Sequence, residues 1–386
     1  MDFLSVFSII IYIVTVFIGL RIDQSNSNKK SCKLYEIWLY IFLCFGYMTG
    51  SDWRGYEIEY GIHPTQISSV GEYGFYCLYY VISTIIPDYW VAVGLMKCIY
   101  LYSLLQLFKR LSSNYLSLLA LSLPIFTCFI LIDNPLRFMC ALVFVNISTI
   151  KLIKKKYIAS LLFIILSFFF HNTAVFFVLL FPAVLYAPKI AKVNGIVLIF
   201  LFVIVLYITS NMSNIQSIVA LFMRYTNMLD IKDYTHYLDR NTDGQNFFSV
   251  GSFIQILYFV LIVISKNSVI KKNVNGELVS GLAIFYMFLQ RFTLMIPTGF
   301  RLTIPFAIFY CLYIVMLKTS RKYIYYFFLF IILFQFGRKL YSSYLYIPYT
   351  NSIPYIITEH KSYNDRYFYN YTKYRERFGH DVQTDE

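Results

Sequence analysis

Apolar runs recur along the whole chain at lengths suited to crossing a lipid bilayer. They fall at 3–20, 34–50, 89–108, 115–132, 136–152, 157–170, 173–187, 193–210, 248–265, 277–297, 300–317 and 323–341. About 20 apolar residues in helical form cross the ~30 Å hydrocarbon core. In lipid the backbone has no water to bond, so an open run of this kind must pair its own amides as a helix. The pattern predicts an all-α polytopic integral membrane protein of about 12 transmembrane helices plus re-entrant or short segments. The first run lacks a basic leader and a small-residue cleavage site, so it reads as a retained span. Residues 1–341 then form a single transmembrane helical domain, with an extracytoplasmic loop at 211–247 and a Tyr-rich tail at 342–386.

Two stretches break the regularity. Residues 73–86 are apolar but only about 21 Å long as a helix, which reads as re-entrant or interfacial. Residues 157–187 form a hairpin whose arms are each about 21 Å long, short of the core thickness. Its turn at His171-Asn172 should stop below the outer surface, at the floor of an outward-facing pit.

Charge sets the orientation. The chain is 59% hydrophobic and 14% charged, well below the ~25% charge of soluble domains. Its +13 net charge collects in six clusters between spans: Arg21/Lys29/Lys30/Lys33, Lys109/Arg110, Lys151/Lys154/Lys155/Lys156, Lys189/Lys192, Lys266/Lys271/Lys272 and Lys318/Arg321/Lys322. The positive-inside rule puts all six on the cytoplasmic face. That use of the positive charge leaves no nucleic-acid partner to infer. Seven scattered Cys form neither a CxxC pair nor a Cys/His cluster, so no disulfide framework or zinc site is indicated.

Nucleotide-binding, metalloprotease and serine-hydrolase motifs are missing, so the candidate chemistry lies in isolated charges. A charge at bilayer depth costs roughly 2.5–3.5 kcal/mol, which marks Arg137 and His171 for function. Apart from the clusters, the cations of the spans are mostly Arg, including Arg137, Arg291, Arg301 and Arg338. Several Arg around one cavity repel one another unless an anion joins them, and their planar donor forks suit phosphate. An anionic substrate, phosphorylated and membrane-borne, follows. Each residue also has a plainer reading: Arg301 and Arg338 as snorkelling span ends, Arg137 as a topology cap, His171 as a hairpin-tip residue, Asp52 as a solvated loop carboxylate. Lys97, mid-span, is expected to pair with a carboxylate or a carbonyl.

Five short motifs then carry a family resemblance. In order they are Tyr47–Tyr60 (YMTGSDWRGYEIEY), Glu72-Tyr73-Gly74-Phe75, Asn134–Ala141 (NPLRFMCA), Phe170–Ala174 (FHNTA) and Arg301–Phe306 (RLTIPF), with Ile347-Pro348-Tyr349-Thr350-Asn351 beyond them. Over about residues 40–355 the chain resembles the EpsG-like branch of Wzy-type polysaccharide polymerases. It departs at Trp53-Arg54, where a Tyr commonly follows the Asp, and at Phe138, where a Gln often follows the Arg. The departures bear on sugar contacts.

The resemblance implies a GT-C-like or Wzy-like helical bundle in the bacterial cytoplasmic membrane, active on its outer face. It implies a glycosyl transfer, without metal or other cofactor, between undecaprenyl-diphosphate-linked oligosaccharide repeat units, beside a chain-length regulator and a flippase. Under it Arg137, Arg291 and Arg301 bind the diphosphate. Asp52 or Glu72 serves as general base, His171 bonds the diphosphate or relays a proton, and Asp239 and Arg240 contact the acceptor sugar. A lipid-linked oligosaccharide flippase or transporter, an O-antigen ligase and a sugar O-acyltransferase are the alternatives. Against transport stand the missing repeats and the one-sided charge; against an acyltransferase stands the want of a second intramembrane His.

Overall fold

The structure, a computed structural model, describes residues 3–22, 29–67, 72–133, 135–210, 249–293, 299–343, 345–358 and 360–378. Among these residues every regular element is helical. The first half holds α1 (Phe3–Arg21), α2 (Lys29–Leu39), α3 (Trp53–Glu59), α4 (Tyr73–Ile85), α5 (Tyr89–Leu111), α6 (Tyr115–Ser122), α7 (Cys128–Ile132), α8 (Leu136–Ile153), α9 (Tyr157–Phe168), α10 (Leu180–Lys192) and α11 (Gly195–Ile208). After the loop come α12 (Val250–Lys272), α13 (Gly276–Thr293), α14 (Ile304–Ser320), α15 (Lys322–Ser342), α16 (Ile353–Ile357), α17 (Tyr363–Tyr367) and α18 (Tyr369–Phe378).

Among the described residues eight helical stretches are long and apolar enough to cross a membrane: Leu4–Arg21, Tyr89–Leu111, Tyr115–Ile132, Leu136–Ile153, Asn172–Lys192, Val250–Lys272, Gly299–Ser320 and Lys322–Ser342. The chain is a multi-pass helical membrane protein. Of the four other expected stretches, α9 and α11 are apolar but shorter, while Lys29–Cys44 and α13 are helical. In water the β-branched run of α11 (GIVLIFLFVIVLYI) would favour a strand. It is helical here, started by an Asn194 Oδ1 cap on the Ile196 amide at 2.8 Å. Helix α4 has 13 residues, about 20 Å.

All six basic clusters sit at helix ends. Cations occupy the last turns of α1, α5, α8, α10, α12 and α14, where they also complement the helix dipole. Outward-facing Ile158, Ile196 and Phe330 stay exposed, as lipid contact requires.

The helices divide into two compact units: Met1–Ile150 with Ile165–His171 and Phe330–Glu386, and Lys151–Ile164 with Asn172–Leu329. In the first, α1 lies against α2 and α6 through Gly19, where an added Cβ would meet the Tyr35 hydroxyl and the Ala120 methyl. In the second, α10 and α13 pack so closely at Gly281 that a Cβ would strike the Ala187 carbonyl. A stack of Phe202 on Phe259, with Phe288 edge-on to both, fills the core beside them.

Two π-helical turns widen the first unit. Leu123–Thr127 contains Pro124, which donates no hydrogen bond. Tyr40–Cys44 follows α2 and leaves carbonyls for partners elsewhere: Asn351 Nδ2 donates to Ile41 O at 2.9 Å, and the Tyr349 hydroxyl to Phe42 O. Lys97 departs from expectation. It is fully buried in α5, and its Nζ meets neither carboxylate nor carbonyl among the described residues.

Candidate active site

Glu72 sits at the N-terminal boundary of α4, buried, with backbone angles outside the helical region. Its two oxygens are both engaged. Oε2 accepts from Arg137 Nη1 at 2.6 Å, and Oε1 meets His171 Nδ1 at 2.6 Å. Three distant segments therefore converge on one carboxylate.

Glycines make the convergence possible. The Gly74 amide donates to the Phe169 carbonyl at 3.0 Å, which fastens the start of α4 to the turn that carries His171. A Cβ at Gly74 would lie 2.8 Å from that carbonyl oxygen. The turn itself closes with the His171 amide on Ser167 O at 3.2 Å, after which the chain continues as a 3-10 helix, Asn172–Leu179. Gly50, at φ +77°, lies against Asp133; a Cβ there would stand 2.4 Å from the Asp133 carbonyl. That close approach brings the loop before α3 up to the chain entering α8, whose first turn carries Arg137.

Two tyrosines complete the cluster. Arg137 Nε donates to the Tyr56 hydroxyl at 3.0 Å, and the guanidinium lies 5.6 Å from the centre of the Tyr56 ring. Tyr76, one turn beyond Glu72, receives Arg137 Nη1 at 3.4 Å. Burial pushes the Tyr56 phenol up to about 12 despite the opposing pull of Arg137, with Asp52 raising it further, so Tyr56 stays a neutral hydroxyl. Helix α3 is steadied by the Tyr79 hydroxyl on Tyr56 O at 2.7 Å and the Tyr89 hydroxyl on Trp53 O at 3.2 Å. Phe138 packs edge-on to the His171 ring at 5.4 Å, a use for the aromatic that replaces the expected Gln.

The electrostatics assign proton positions. A carboxylate held by an arginine can only accept, so His171 carries its proton on Nδ1. Its other ring nitrogen, Nε2, is buried. Glu72 has both oxygens engaged by these two neighbours.

Of the remaining expected residues, Asp52 belongs to the first unit, and Arg291 and Arg301 to the second. Asp52 precedes α3, half-buried, and accepts from the Ser51 hydroxyl at 3.2 Å. Arg291 ends α13 in the second unit, 2% exposed, and donates Nε to Thr209 Oγ1 at 2.7 Å, Nη2 to Ser210 Oγ at 2.8 Å and Nη1 to Gln255 Oε1 at 3.4 Å. Arg301 lies in the same unit, in the 3-10 turn Gly299–Thr303. Asp239, Arg240 and the rest of the 211–247 loop lie outside the described residues. Sequence reading passed over Tyr56 and Tyr76. Position 76 is four residues after Glu72, one helical turn, and that spacing was the available signal.

Among the described residues no three His, Cys, Asp or Glu side chains converge as a metal-binding set. Comparison with curated proteins and with solved structures returns no match. A family model does match, that of the EpsG family, over residues 36–355, a range that takes in Glu72, Arg137, His171 and both tyrosines. The chain belongs to the EpsG family, a Wzy-type polymerase-like family.

Proposed function

We propose that this protein is a glycosyltransferase that polymerises lipid-diphosphate-linked oligosaccharide repeat units, the undecaprenyl carrier being the expected one. The observation that carries the reading is the Glu72 carboxylate bridging Arg137 and His171 at 2.6 Å each. It couples a cation suited to a diphosphate with an imidazole oriented for proton transfer.

In the proposed step His171 Nε2, buried in this structure, is uncovered as the acceptor enters and takes the proton of its hydroxyl, while that oxygen attacks the anomeric carbon of the donor glycan. The anomeric C–O bond breaks, and its electron pair leaves with the lipid diphosphate. Negative charge grows on the leaving oxygen, where preorganised donors help most. Arg137 is the donor that the first unit offers, and Arg291 and Arg301 are the candidates of the second; the reading calls on arginines rather than a metal to neutralise the leaving group. Glu72 fixes the His171 tautomer and stabilises the imidazolium that forms. Asp52 is the alternative base, and Asp239 with Arg240 in the loop are assigned to the acceptor sugar.

The basic helix ends support an outward-facing site in this reading. With the six basic clusters facing the cytoplasm, α1 and α5 both end inside, so α2 returns the chain outward and α4 does not cross. Glu72 then lies toward the outer face of the bacterial cytoplasmic membrane, where a flippase would deliver substrate and a chain-length regulator would act.

Deletion of the protein followed by gel analysis of surface glycan tests the reading. Loss of the long-chain ladder with single repeat units still displayed supports polymerisation. Loss of all surface glycan, with units trapped inside, points to a flippase and overturns it.

A further inference from the structure

The C-terminal segment beyond α15 is built into the first unit. Its root is tied by backbone bonds: Tyr47 N to Thr350 O at 2.9 Å, Gly50 N to Leu345 O at 3.0 Å and Ser352 N to Phe45 O at 2.7 Å. Tyr349 and Asn351 take the carbonyls that the π-helical turn after α2 leaves open. Farther on, Tyr355 stacks on Tyr47 at 4.4 Å, and His360 Nε2 reaches Asp88 Oδ2 at 2.9 Å.

The segment then closes on α3, the short helix that carries Tyr56. Arg366 Nη2 donates to Glu57 Oε1 at 2.6 Å, with side chains only 9% and 12% exposed. The Tyr363 hydroxyl donates to Arg54 O at 3.2 Å, and the Arg54 guanidinium lies 5.4 Å and 4.9 Å from the Tyr367 and Tyr371 rings. A helix of seven residues does not hold itself. Glu57 directly follows Tyr56, so a pull on one turns the other. Burial raises the Glu57 carboxyl, and Arg366 opposes that rise; removing either partner would leave the other buried without its counter-charge.

We propose that Arg366 is a positioning residue for the active site: through Glu57 it holds α3 at the angle that sets the Tyr56 hydroxyl on Arg137 Nε. The inference rests on the polymerase reading only for its activity readout.

The test removes both charges at once. Single substitutions strand a buried ion, whereas Glu57→Gln with Arg366→Met leaves none. Four quantities are measured on the full chain: membrane level, KM and kcat with lipid-linked repeat units, and the 19F resonance of trifluoromethyl-phenylalanine at exposed Ile58. The double variant should accumulate normally and keep its KM within about twofold. Its kcat should fall about tenfold or more, with the α3 resonance shifted or broadened. Wild-type kcat and an unchanged resonance overturn the proposal. Should the double variant not accumulate, Tyr349→Phe, which deletes one hydroxyl at the root, decides by the same readouts. If the wild type shows no polymerisation, the function reading falls, and the 19F signal alone decides the positioning role.

Discussion

Glu72 and His171 are 99 residues apart in the chain, yet the carboxylate Oε1 and the imidazole Nδ1 meet at 2.6 Å. The bond gives the histidine a direction. With the carboxylate accepting, the proton sits on Nδ1; in the proposed reaction the buried Nε2 is the base, the division of labour that an acid gives the base of a hydrolase triad.

Replacing Glu72 by Gln tests that relationship. The amide keeps the shape but loses the charge that fixes the tautomer and balances Arg137. Turnover is expected to fall by about 10²–10⁴, with the protein still present in the membrane. His171→Gln should fall as far, and the double variant no farther, because the two act as a unit. Losses that multiply in the double variant sink the dyad.

The glycine joints make a separate prediction. Gly74→Ala would set a methyl 2.8 Å from the Phe169 carbonyl and part α4 from the His171 turn. Gly50→Ala adds a positive φ to an even closer approach at Asp133. Each should cost about 1–3 kcal/mol in stability, Gly50→Ala the more, and both should lower activity. Thermal unfolding in detergent measures the first effect; a Gly74→Ala protein with wild-type melting and activity would mean the joint is loose.

Lys97 yields a prediction of opposite sign. Its ammonium is fully buried in α5, with no hydrogen-bond partner among the described residues. A Met of similar length fills the same space without a charge to desolvate. Lys97→Met should therefore raise the melting temperature, by the equivalent of about 1–4 kcal/mol, and leave chain length unchanged. A lower melting temperature would show that the ammonium contributes to the fold.

These cases mark what could be read from residues alone. The spans and basic clusters were legible because each is a property of one contiguous stretch. Arg137 and His171 stood out as expensive charges and Glu72 as part of a family motif, but their meeting depends on the Gly74–Phe169 and Gly50–Asp133 approaches, which no local pattern encodes. Tyr56 and Tyr76 were hidden among 37 tyrosines. Arg366 looked like one more charge in a polar tail, since nothing before the fold tells that Glu57 is buried. Lys97 misled in the other direction: a mid-span lysine implies a carboxylate or carbonyl partner, and its Nζ makes no hydrogen bond among the described residues.

Arg291 has two explanations that one comparison separates. It donates to Thr209 and Ser210, so it either ties α13 to the end of α11 or holds those hydroxyls as part of an anion site. Thr209→Val removes the Thr209 bond and keeps the shape. If the tie is its purpose, Thr209→Val should copy much of the loss caused by Arg291→Gln, in melting temperature as in activity. For a diphosphate ligand, Arg291→Gln should lower turnover by about 10²–10³, while Thr209→Val costs only a few-fold. Arg291→Lys should rescue little, since a point charge lacks the planar fork. The same assay run in chelator should match the untreated rate, because arginines carry the leaving group's charge. A rate that collapses in chelator and returns with added magnesium would overturn that assignment.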